Sequence, residues 1–251
     1  MVQAVTEHRR QLRRLLLAGA GLAALGAATG CSVSGTAPQT RAGSRFRYAP
    51  QNLLKTDLAH FLEAGQWQIF QSLQRLADKL YRRNPVQLQR GGASSREAAM
   101  AALFDVEHEW HFEDLGGKRD IAALMLAFEP DFKGDRVRAF VVGLSSMVQT
   151  AFGNNVEFYL LNDVDAQHLY NAARNVEIAA WKLGTSRDAS GELLLLSNEM
   201  NEQVRNLSFE REIGRIIGVL EVLTDVVELK TDRTVVRFVQ NVATAAFLPV
   251  Y

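Results

Sequence analysis

Residues 54–85, LKTDLAHFLEAGQWQIFQSLQRLADKLYRRNP, decide the fold class. Leu54, Leu58, Phe61, Leu62, Ile69, Leu73, Leu76 and Leu80 recur at steps of three and four, so they line one face of an α-helix rather than alternating across a strand. Asn84-Pro85 must end that helix, because proline disfavours the α conformation in the residue before it. Gly65 is the point at which it could divide in two.

The same period continues outward. Ser94 and Glu97 have capping-box spacing ahead of Ala98–Phe104, which predicts a second helix ending before Gly116-Gly117. A short third helix is expected over Arg119–Phe128, stopped at Pro130. After Lys133-Gly134-Asp135, residues Val137–Phe152 form the most apolar stretch outside the N-terminal thirty residues. With about sixteen residues, and Arg138 and Gln149 inside it, this stretch reads as a central buried helix rather than a membrane span. The next helix starts at Asp163 or Asp165, buries Leu169, Ala172, Ala173, Val176, Ala180 and Leu183, and closes at Gly184.

Ser190 is expected to cap a further helix. Its pattern runs through Leu193, Leu196, Met200, Val204, Leu207, Gly214, Ile217, Leu220 and Val227, either as one helix over 190–229 or as two joined near Asn206-Leu207-Ser208. A last helix is expected over Asp232–Phe247, with a strand as the alternative at Thr234–Phe238. No internal repeat and no run of alternating strands is visible, so the expected fold is all-α, a bundle of six to eight amphipathic helices over 51–251.

The N-terminus has a different composition. Arg9, Arg10, Arg13 and Arg14 precede fourteen apolar residues, Leu15–Ala28, which suit a signal peptide and are too short to stay in a bilayer as a spanning helix. The run ends Ala27-Ala28-Thr29-Gly30-Cys31. This resembles the bacterial lipoprotein signal, in which a small residue precedes a cysteine; Ala28 stands where leucine is most common. The resemblance implies that residues 1–30 are removed, that the Cys31 thiol receives a diacylglycerol, and that the protein becomes a lipid-anchored lipoprotein of the cell envelope. Ser32 stands where an aspartate would resemble the inner-membrane retention signal of enteric bacteria, which points to the periplasmic face of the outer membrane. Arg9-Arg10-Gln11-Leu12 and Arg13-Arg14-Leu15-Leu16 also resemble weak twin-arginine signals, so the export route stays open. Residues 31–50 read as a tether, with a reach on the order of 25 Å over Ser32–Pro50.

Charge and cysteine content limit the chemistry. Removing four arginines and one glutamate from 28 basic and 28 acidic residues leaves 24 and 27, a balance of −3 with no block of like charge and no electrostatic case for a nucleic-acid partner. Cys31 is the only cysteine, so once acylated it leaves no thiol for catalysis or metal ligation. No nucleophile elbow, phosphate loop or dinucleotide fingerprint is present. His108-Glu109-Trp110-His111 is one residue short of the zinc-protease helix motif.

Asp57 precedes His60, Asp105 precedes His108 and Asp165 precedes His168, each by three residues on an expected helix. Residues three apart share a helix face, and di-iron bundles use a related Glu-x-x-His step, so these six residues are the candidate metal ligands. Each pair also has a plain reading as a surface contact or, for Asp165, an N-cap. The preferred expectation is a non-enzymatic envelope lipoprotein whose helical domain binds another envelope protein; the alternative is a metal-binding bundle.

Overall fold

The computed structural model describes residues 56–105, 109–159, 164–200, 205–231, 234–237 and 241–251. Cys31, the signal sequence, the tether, His108 and Asp163 lie outside them. The described residues belong to one compact unit, Tyr48–Tyr251. Among them the fold is all-α, with seven α-helices.

Helix α1 runs unbroken over Asp57–Arg83. Thr56 Oγ1 caps it by accepting the Ala59 N–H at 3.1 Å, Asp57 sits in the first turn, and Arg82 and Arg83 occupy the last, each placed to complement the helix dipole. Leu62, Ile69, Leu73, Leu76 and Leu80 are buried as the periodicity predicts, Leu58 is half-buried, and Phe61, expected on the same face, is 42% exposed. Gly65 does not divide it; a β-carbon there would stand 2.7 Å from Leu223, so the glycine lets a later helix approach.

Short helix α2 is Val86–Arg90, and α3 is Arg96–Phe104, capped by Ser95, whose hydroxyl accepts the Ala98 N–H, rather than by Ser94. Helix α3 stops well before Gly116. Glu109 and Trp110 take left-handed backbone conformations, φ 50° and 62°, which no α-helix can accommodate. Trp110 instead turns inward, 6.0 Å from Phe70 and 6.2 Å from Phe104 between ring centres, and its indole N–H donates to Gln149 Oε1. Burial of this ring outweighs local helix propensity. A single 3₁₀ turn, Glu113–Leu115, follows.

Helices α4, Asp120–Phe128, and α5, Arg136–Ala151, pack against each other most closely of all. Every residue of α5 except Gln149 and Thr150 is buried, as expected of a central helix. Gly143 sits at the crossing; a β-carbon there would lie 2.6 Å from the Leu124 backbone nitrogen and 3.0 Å from the Asp120 carbonyl. Helix α6, Ala166–Thr185, packs on α5 and on α7, Ser208–Thr231, and α7 packs on α1. At the α1–α7 seam the Glu212 carboxylate, 4% exposed, accepts from Arg75 at 2.9 Å and Lys79 at 3.2 Å and pairs with Arg215. Burial alone would raise this carboxyl, but the Arg75 and Lys79 hydrogen bonds outweigh it and hold the group below the ordinary glutamate value.

Three expectations are corrected. Gly184 lies within the last turn of α6, and Ser186 is its C-cap. Ser190 caps no helix: Asp188 Oδ1 accepts from the Ser190 N–H, the Ser190 hydroxyl and the Glu192 N–H, fixing a turn through Gly191 at φ 88°. The leucine run beyond it fits a hairpin-like segment as well as a helix, and the described chain there forms only a bridge, Arg187 with Leu193, and two-residue antiparallel strands, β1 Glu199–Met200 and β2 Arg205–Asn206. A helix does begin at the foreseen joint, at Ser208. In the region of the expected last helix, the described residues 234–237 and 241–247 are not helical, nor is 234–237 a strand.

No helix among the described residues is long and apolar enough to cross a membrane. The close approach at Gly143 predicts that Gly143→Ala lowers the unfolding free energy by about 1–3 kcal/mol. Gly214, in open space on α7, should behave oppositely, with Gly214→Ala raising stability by about 0.5–1 kcal/mol; urea titration of the two variants against wild type measures both changes.

Candidate functional site

Of the three Asp-x-x-His pairs, Asp57/His60 and Asp165/His168 lie within the described residues, and Asp105 lies there without His108. Asp57 is exposed in the first turn of α1, where it lines a cleft of about 370 Å³ with Leu62, Phe158, Tyr159 and Lys230, and the acidic neighbour of His60 is Glu63, 3.9 Å away. Asp105 is the C-cap of α3, and its partner His108 lies outside the described residues. Asp165 is an N-cap: its Oδ1 accepts the Gln167 N–H at 2.8 Å, and only its backbone carbonyl meets His168, through that residue's N–H. Among the described residues no three His, Asp, Glu or Cys side chains converge to hold a metal. Within the His-Glu-x-His segment, Glu109 and Trp110 are left-handed, so no helix runs through those two residues.

The side chains that do converge are ones the spacing argument passed over. Asp135, fully buried, caps α5: Oδ1 accepts the Arg138 N–H at 3.0 Å and Oδ2 the Tyr81 hydroxyl at 2.7 Å. The Arg138 guanidinium, 5.5 Å from the Phe112 ring centre, donates to Asp114 at 2.6 Å and to the Gly91 carbonyl at 3.1 Å. The Arg136 guanidinium donates to the carbonyls of Ala127, Glu129, Pro130 and Phe132, closing the C-terminal end of α4. Burial, which outweighs the donors, pushes the Asp135 carboxyl up, and burial together with the Asp135 charge pushes the Tyr81 phenol up. The hydrogen bonds of this cluster run among its own side chains and to main-chain groups, so it joins α1, α2, α4 and α5, while Arg138 Nε is buried without a partner.

Beside it opens a cleft of about 530 Å³ lined by Arg90, Lys133, Asp131, Asp188, Leu193 and Leu194 among others. Its charges are mixed, and its deepest cation, Arg136, is engaged by the four carbonyls above.

A different arrangement lies along α6. Gln167, Asn171 and Asn175 are four residues apart and share one helix face. Gln167 pairs with the backbone of Val236 through both amide atoms, donating to its carbonyl at 3.1 Å and accepting its N–H at 2.7 Å. Asn175 does the same to Leu248, at 2.7 and 2.6 Å, and Asn171 donates to the Pro249 carbonyl at 2.6 Å. Gln167 also donates to Asn171 Oδ1, linking the row. Two non-helical pieces of the C-terminal segment are thereby held as a neighbouring strand would hold them, by hydrogen bonds to main-chain atoms. Val235 and Val250 are buried beneath, and the Val235 N–H donates to Glu228 on α7. The row was visible in the sequence as amides at i, i+4 and i+8 beside an apolar face. Nothing local named the segment it holds.

No family model, no curated protein and no solved structure matches the chain.

Tyr81→Phe strips a donor from a buried carboxylate and should cost about 1–3 kcal/mol at pH 7. Because the folded-state Asp135 value is raised, the folded protein holds its proton more tightly than the unfolded chain, and stability falls as pH rises from about 3.9 through that raised value. Removing the Tyr81 hydroxyl raises it further, so the deficit of Tyr81→Phe against wild type should be largest at neutral pH and shrink in acid. Urea titrations of both proteins at several pH values read this directly.

Proposed function

We propose that this chain is a non-enzymatic lipoprotein of the bacterial envelope, anchored by lipid on Cys31 at the periplasmic face of the outer membrane, whose helical domain binds another envelope protein. The anchor rests on the run Ala27-Ala28-Thr29-Gly30-Cys31 and the basic and apolar segments before it. For the binding role, the observation that carries the reading is the amide row of α6. Gln167, Asn171 and Asn175 grip non-helical polypeptide through main-chain atoms, the chemistry of peptide recognition rather than of catalysis. The cluster around Asp135 supports the same reading, since its charged groups, with Arg136 at the edge of a cleft, are engaged in joining helices.

Expression in a Gram-negative host with radiolabelled palmitate tests the anchor. Wild-type chain should take up label and sediment with outer membranes, and Cys31→Ser should do neither; an unlabelled wild-type chain recovered in the soluble fraction would overturn the reading. Crosslinking in intact cells tests the partner, where a chain that remains monomeric and uncrosslinked would remove the binding role.

A further inference from the structure

The C-terminal segment occupies α6 in the manner of a ligand. Five hydrogen bonds join the amides of Gln167, Asn171 and Asn175 to the backbone of Val236, Leu248 and Pro249, and all five reach main-chain atoms. Such bonds do not depend on which side chains the held segment carries, so the row can accept any extended backbone offering the same donors and acceptors. Selectivity enters at three positions. The residue at Leu248 must have an N–H to give to Asn175 Oδ1, which excludes proline there. The next position, Pro249, offers only its carbonyl to Asn171, and proline stiffens the segment in an extended form. The residue after that, Val250, is fully buried, so its seat takes a compact apolar side chain. Val236 and Tyr251 turn their side chains to solvent, 60% and 85% accessible, while Phe247 and Leu248 are half-buried.

We propose that the groove along α6 is a binding site for an extended polypeptide carrying a non-proline residue, a proline and a β-branched apolar residue in succession, and that the chain's own C-terminal segment holds this site as an exchangeable internal ligand. The proposal rests on the binding role given above and adds the class of partner and its control. An incoming segment of a partner protein displaces Leu248-Pro249-Val250 and repeats its main-chain hydrogen bonds. The internal segment lowers the apparent affinity for any such partner by the fraction of time it occupies the groove.

The test uses the full mature chain in detergent and a fluorescein-labelled peptide of residues 243–251, ATAAFLPVY, followed by anisotropy. Val250→Asp empties the groove by making its deepest anchor charged, and should bind the peptide about ten-fold or more tightly than wild type. Adding Asn175→Ala to Val250→Asp should abolish the gain. A peptide with Leu248 and Pro249 exchanged should not bind, because proline then stands where Asn175 needs a donor. The proposal is overturned if Val250→Asp keeps its helical circular dichroism and binds no more tightly than wild type, or if the exchanged peptide binds equally well. It is also overturned if Val250→Asp loses its helical signal, since the segment is then part of the fold and not exchangeable. None of these results touches palmitate labelling or crosslinking in cells, so the anchored binding role stands or falls separately.

Discussion

A carboxylate removed from water needs hydrogen-bond donors, and Asp135 is the point where this fold supplies them from two helices, though burial still outweighs them. Its two oxygens accept from Tyr81 at the end of α1 and from the first turn of α5, and it directly precedes the helix on which the core is built. Arg136 and Arg138, on either side of Val137, then reach in different directions. One closes the carbonyl end of α4 and the other ties the Asp114 turn and Gly91. Three polar residues within four positions, Asp135, Arg136 and Arg138, thus tie α1, α2, α4 and α5 together before apolar packing is counted. Burial of such groups is costly unless they are fully hydrogen-bonded, so the junction acts as a specificity device: a shifted α5 would strand the Asp135 carboxylate and two guanidinium groups at once.

With α5 held, the apolar faces do the rest. Gly143 brings α4 into backbone contact, and Gly65 admits Leu223 from α7. The α1–α7 seam is closed by Glu212 between Arg75 and Lys79. Helix α6 is attached differently. Its inner face packs on α5 and α7, while its amide face is completed by a segment that arrives last in the sequence. Side-chain amides stand in for a strand there, and the contrast between a junction sealed by buried charges and a segment held by neutral amides underlies the functional reading.

Periodicity made the helices legible wherever burial is one-sided and continuous. The spacing of 54–85 and the apolar stretch 137–152 gave α1 and α5 almost whole, and Asp165 and Pro130 marked real boundaries. Signals failed where a distant contact outweighed a local one. Trp110 leaves its helix to stack on Phe70, and Leu193–Leu196 is apolar in a way that suits either period, with the Asp188 turn deciding against a helix. Val235 and Val236 read as part of a helix face because no local rule says that one is buried in a non-helical segment and the other holds Gln167 through its backbone. Of the Asp-x-x-His steps, Asp165 has its side chain on an N-cap, the plain reading its position also offered. Tyr81 and Asp135 are 54 residues apart, so their meeting had no sequence signature, although an arginine inside the most apolar stretch was the clue that a buried polar partner must exist.

The central claim is that a scaffold sealed around Asp135 carries a C-terminal segment able to leave α6 without unfolding it. Native-state hydrogen exchange measured against low denaturant tests this most directly, because it resolves local from global opening for each amide. The Arg138 amide, bonded to Asp135, should exchange only through global unfolding, with a free energy that falls steeply as denaturant is added. The Leu248 amide, bonded to Asn175, should exchange by a local opening of lower free energy that denaturant barely changes. Equal free energies and equal denaturant slopes for the two amides would contradict the account.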